Sequence, residues 1–132
     1  VGDVDPRFPV EAYSIESAPQ VVQRVWGIAA DLGYRRYFPM DETVRVIDDH
    51  VQLNDVGIPT IDVIDFDYGP NNQLWHTPDD TPDNTSAQTL MMVGDVIAGC
   101  IKQDNRRPFR NSWFRSSPHK LGNYRIAFVF GK

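Results

Sequence analysis

The sequence predicts an α/β fold, and three observations carry that reading. Ile58 to Phe66, IPTIDVIDF, is β-branched and apolar on both faces, as a strand is when helices cover both sides of its sheet. Segments before and after it repeat apolar residues at helical spacing. The order along the chain is helix, strand, strand, helix, the alternation of a layered α/β domain. At 132 residues the chain has the size of one domain.

Residues 1–16 are rich in turn formers, with Gly2, Pro6 and Pro9 among acids and aromatics, and read as an irregular connection. Ser17 followed by Gln20 is a capping-box pattern, and Pro19 suits a first helical turn. Val21, Val25, Ile28 and Leu32 then recur on one helical face until Gly33 closes the end. Tyr34 to Met40 is an aromatic loop, and Thr43 to Ile47 alternates as a short strand stopped by Asp48 and Asp49. HVQLNDVG has room for one or two helical turns before Gly57. Pro59 fits the first residue of the long apolar strand, where no ladder donor is needed. From Asp67 to Thr85 runs a loop with Gly69, Pro70, Pro78 and Pro82, longer than compact domains usually carry without a function. Ser86 caps a second helix whose stripe is Leu90, Val93, Ile97 and Ile101, broadened by Met92, Val96 and Cys100.

Charge divides the chain at residue 101. Residues 1–101 carry 5 Lys/Arg against 17 Asp/Glu, whereas residues 102–132 carry 8 against 1. The sequence therefore reads as a domain, 1–101, followed by a basic aromatic tail, 102–132, of separate origin. In that tail Arg106, Arg107, Arg110 and Arg115 stand among Phe109, Trp113 and Phe114, and Tyr124 to Phe130 alternates as a strand. Nucleic acid is not the favoured partner, because the basic pattern lacks any wider motif. No run of apolar residues is long enough to span a membrane, and the first thirty residues lack a basic start followed by an apolar run. Cys100 is the only cysteine, so an internal disulfide is excluded, and its place in the helix stripe reads as core.

Chemistry-bearing residues gather where strands end, at Asp48-Asp49-His50, in the acidic loop, and at Trp75-His76 within it. In open α/β sheets that crevice is where ligands bind. Imidazole and carboxylate oxygen are the usual non-thiol zinc ligands, and a catalytic zinc normally takes three from protein. Each residue also has a plainer reading. Asp48 and Asp49 suit a helix N-terminus, His76 suits a surface loop, Trp75 suits an anchor, and Asp79, Asp80 and Asp83 suit solvated turns.

Read in order, APQVVQRVWGIAADLGY, DDHVQLNDVGIPTIDVIDFDY, WHTPDDTPDN and TLMMVGDVI resemble the C-terminal half of the zinc-dependent aminopeptidase and glutaminyl cyclase family, over about residues 1–101. The resemblance implies a three-layer helix-sheet-helix zinc exopeptidase fold with a mostly parallel sheet. It implies that His76 is a zinc ligand, that Asp48 is a catalytic acid beside metal and substrate, and that Trp75 and His50 line the substrate site. It further implies zinc as cofactor, peptide N-termini as substrates and an exported or periplasmic location.

The family's other metal ligands would lie upstream of Val1, so the resemblance implies a segment inactive by itself. Its expected partner is a missing N-terminal half or a self-association partner, and the Tyr124–Phe130 strand is expected to cover the open sheet edge. The competing reading is a non-catalytic binding or structural domain of the same fold.

Overall fold

A computed structural model describes residues 2–106 and 127–129 of the chain. The elements run β1 (Val10–Glu11), α1 (Ala12–Ser17), α2 (Pro19–Asp31), β2 (Thr43–Val44), α3 (Asp49–Asp55), β3 (Thr60–Asp62), α4 (Ala87–Arg106) and β4 (Ala127–Val129). β1 pairs with β2 and β3 with β4, both in parallel, so the mixed helix and strand class with a small parallel sheet is what the chain adopts.

The core forms where α2 lays Val21, Val22, Val25, Trp26, Ile28 and Ala29 against the strands and α4. Phe38 packs between Phe8 and Trp26, with ring centroids 4.8 Å apart for the two phenylalanines and 5.7 Å for the edge-on Trp26–Phe38 pair. Such aromatic packing contributes beyond its buried area. α4 packs close on α2, because a Cβ at Gly99 would stand 2.7 Å from the Ile28 side chain. That near approach selects the face α4 buries, which is Thr89, Met92, Val93, Val96 and Cys100. Leu90 and Ile101, expected in the stripe, are instead 47% and 56% exposed.

The other differences from the sequence reading are local and have physical causes. Residues 1–16 are not irregular throughout, because Glu11 caps a short helix by accepting the N–H groups of Tyr13 and Ser14. Ser17 is consequently the last residue of α1, not the cap of α2. Ala18 takes the cap position without a side-chain bond, and Pro19 opens α2. Ser86 does cap α4, its hydroxyl accepting the Thr89 N–H at 3.2 Å. The strands are shorter than the apolar runs that mark them, since a ladder needs a neighbour. Among the described residues only Thr60–Asp62 of Ile58–Phe66 is paired, although Val63, Ile64 and Asp65 remain buried. Of the expected Tyr124–Phe130 strand, Ala127–Val129 is described and lies beside β3, in register Thr60 to Ala127. The rest of that stretch lies outside the described residues.

Candidate functional site

Two groups of polar residues follow the carboxyl ends of the parallel strands. The first is buried. Glu11, which ends β1, has no exposed surface, and neither do Ser14, His50 and Asp62. One Glu11 oxygen accepts the Tyr13 N–H at 2.9 Å and the Val46 N–H at 3.3 Å. The other accepts the Ser14 N–H at 2.6 Å and hydroxyl at 2.8 Å, and it meets His50 Nε2 at 2.9 Å. Ser14 Oγ in turn accepts the Asp62 N–H at 2.9 Å. Burial pushes the Glu11 carboxyl up, but the N–H groups of Tyr13, Ser14 and Val46 with the Ser14 hydroxyl outweigh it, and it stays below the ordinary carboxylate range. An ionised Glu11 offers only acceptors, so Nε2 of His50 carries the proton.

Asp62 shows the opposite balance. Burial, then the charges of Asp48 and Glu11, raise its carboxyl to about 7, and neither oxygen has a hydrogen-bond partner among the described residues. His50 Nδ1 lacks one too. Asp48 stands half-buried at the edge of this cluster, capping α3 through the Asp49 N–H at 2.7 Å. The capping reading of Asp48 is thus realised, and its charge also reaches Asp62.

The second group is presented outward. The 67–85 loop is fastened at its base, where the Gly69 N–H donates to buried Asp3 and the Tyr68 hydroxyl donates to the Asn84 carbonyl at 3.3 Å. Gly69 has φ +72 and stands so close to Leu74 that a Cβ would fall 2.6 Å from it, so both backbone and space demand glycine. Phe66 packs on half-buried Trp75 at 5.1 Å, and Trp75 stacks on His76 at 4.2 Å and 27°. His76 is exposed and takes φ +56, in the left-handed region that non-glycine residues seldom occupy. Asp79, Asp80 and Asp83 are exposed along the same loop.

The structure therefore joins Asp48 and His50 in one cluster and Trp75 and His76 in another. No hydrogen bond or ring contact links the two among the described residues. Sequence reasoning missed Glu11, Ser14 and Asp62. The signal for Asp62 was an acid in the middle of an apolar strand, where a charge is costly to bury. A cleft of about 640 Å³ also opens where the 35–42 loop enters β2, lined by Arg7, Trp26, Arg35 and Glu42, and holds none of these site residues.

Zinc fits this chain only in part. His76 offers an exposed imidazole, but no three His, Cys, Asp or Glu side chains are grouped to hold a metal among the described residues.

A model of peptidase family M28 matches residues 5–101. Among solved structures, a leucine aminopeptidase precursor from Bacteroides thetaiotaomicron VPI-5482 is 37% identical with a TM-score of 0.67, the match covering 75% of this chain and 33% of that one. A glutaminyl cyclase from an Acidobacteriales bacterium is 31% identical with a TM-score of 0.71, covering 82% of this chain and 37% of that one. Porphyromonas gingivalis glutaminyl cyclase is 34% identical with a TM-score of 0.68, covering 78% and 39%. The chain thus spans between a third and two fifths of the length of these structures. No curated protein matches it.

Proposed function

The chain belongs to peptidase family M28, and from that premise we propose that it supplies part of a zinc site acting on peptide N-termini, either as an aminopeptidase or as a glutaminyl cyclase. The observation that carries the reading is His76. An exposed imidazole held on left-handed backbone and stacked against a tryptophan, beyond a buried strand, is a ligand held ready rather than a casual surface residue.

In this reading His76 is one ligand of the site, and no group of three such donors forms around it among the described residues. Zinc, when bound, supplies Lewis-acid polarisation of a substrate carbonyl. Trp75 shapes the wall beside it, and Asp48, at the head of α3, accepts or returns a proton on the substrate amine. His50 acts from within the protein, through its bond to Glu11. The exposed aromatic and acidic loop suits a small peptide end that presents one cationic amine.

The test uses the longer polypeptide carrying this chain within a whole family domain. Zinc at about one equivalent, lost in His76→Ala, supports the ligand assignment. Ammonia released from an N-terminal glutamine peptide identifies a cyclase, and aniline product from a leucine anilide identifies a peptidase. Neither product from a zinc-loaded domain overturns the enzymatic reading and leaves a non-catalytic binding domain in its place.

A further inference from the structure

Glu11 is more heavily used than capping a six-residue helix requires. Its carboxylate collects donors from α1, from Val46 in the segment after β2 and from His50 in α3, and through Ser14 Oγ it reaches the backbone of β3. The end of β1, α1, the Val46–His50 stretch and β3 are thereby tied at one buried point. The His50 contact spans 39 residues. It joins the end of β1 to the second residue of α3, two residues after Asp48.

We propose that Glu11 is a positioning residue for Asp48: it holds the His50 ring in its Nε2–H form, which fixes the first turn of α3 and thus the direction in which the Asp48 carboxylate points. The geometry supports this in three ways. A buried charge-assisted bond is short and directional, so the ring has one orientation. The acceptor-only carboxylate selects one tautomer, and Nδ1 makes no competing bond among the described residues. Asp48 is only half-buried and caps α3 through its neighbour Asp49, so its own contacts do not hold that turn against the body of the protein. The positioning itself is a property of this chain. Its consequence for turnover rests on the functional reading above.

The first experiment is NMR on the chain with labelled histidine. A protonated Nε2 on His50 is expected, with its N–H proton exchanging at least about tenfold more slowly than that of His76. In Glu11→Gln that slow proton should vanish, and the backbone N–H groups of Asp49, His50 and Val51 should exchange roughly tenfold faster while those of α2 hold within about twofold. Protonation at Nδ1 in the wild type overturns the proposal without any variant, which covers the case where Glu11→Gln fails to fold. Unchanged exchange in a folded Glu11→Gln also overturns it. In the whole family domain, Glu11→Gln should lower kcat by about tenfold or more with KM within about twofold, and Glu11→Asp, which keeps the charge but shortens the reach, should recover only part of it. A raised KM with kcat intact overturns the positioning role. If the wild-type domain turns over neither substrate, the functional reading falls, and the histidine spectrum still decides whether Glu11 holds α3.

Discussion

Glu11, Ser14, His50 and Asp62 lie wholly inside the protein, whereas Trp75 and His76 ride a loop that faces solvent, although both groups follow the carboxyl ends of parallel strands. In the first group hydrogen bonds between side chains and backbone from four segments do the holding, and they converge on the Glu11 carboxylate. In the second the holding falls to backbone geometry and ring stacking, and the imidazole is exposed. The contrast teaches how one chain separates its tasks. Interior polar groups set the frame, and the exposed ones face solvent.

The largest break in that contrast is Glu11→Ala. Removing the carboxylate leaves the His50 Nε2–H and the Ser14 N–H buried without an acceptor, and α1 loses its cap. Breaking a buried pair on one side costs about 3–5 kcal/mol, so urea unfolding should move by that amount or the chain should not fold. A loss below about 1 kcal/mol would show that the cluster is not the frame described here.

Asp62 sharpens the same region through pH. Its carboxyl titrates near 3.8 when unfolded and at about 7 when folded, so the folded chain holds the proton more tightly. The stability this brings is complete below about pH 4 and is lost as pH rises through about 7. Asp65, raised to about 6 chiefly by burial, adds to the slope with the same sign, while Glu11, whose carboxyl is lowered, works the other way at acid pH. Asp62→Asn should flatten the loss, gaining on the order of 2 kcal/mol at pH 8 relative to its effect at pH 5. Equal effects at both pH values would mean that Asp62 is not the buried acid responsible.

Within the loop the sharper intervention is Gly69→Ala. Its φ of +72 and the 2.6 Å approach of Leu74 both oppose a Cβ. A cost of about 1–2 kcal/mol is expected, together with faster proteolysis between residues 70 and 80. Core amides in α2 should exchange as before, since the loop is held by Asp3 at its base and by Phe66 against Trp75, neither of which lies in α2.

These regions were unequally legible in the sequence. The helices over Val21–Leu32 and Leu90–Ile101 announced themselves by spacing, and Ser86 by its place before an apolar run. The loop was legible too, because Trp75, His76 and the prolines are contiguous. The buried cluster was not, since Glu11, His50 and Asp62 come together only when β1, α3 and β3 pack, and no local pattern encodes that meeting. The capping box at Ser17 misled for a related reason. A carboxylate six residues earlier started a helix first, and Ser17 had already been used inside it. The stripe of α4 was turned away from Leu90 and Ile101 by Gly99, whose lack of a side chain lets Ile28 approach.

The smallest effect on stability belongs to His76, and it is the most telling. A histidine at φ +56 carries strain that glycine would not, but glycine also gives the unfolded chain more freedom to lose. The two nearly cancel, so His76→Gly should change the unfolding free energy by no more than about 1 kcal/mol, with a gain as readily as a loss. Its stacking on Trp75 adds a modest opposing amount, and Phe66 still holds Trp75 in place. If His76 is kept for a metal, the same substitution should abolish zinc retention in the whole family domain while leaving the fold intact, a separation that no substitution in the Glu11 cluster can produce. A loss of about 3 kcal/mol in His76→Gly would place that imidazole among the structural groups and erase the distinction between the two regions.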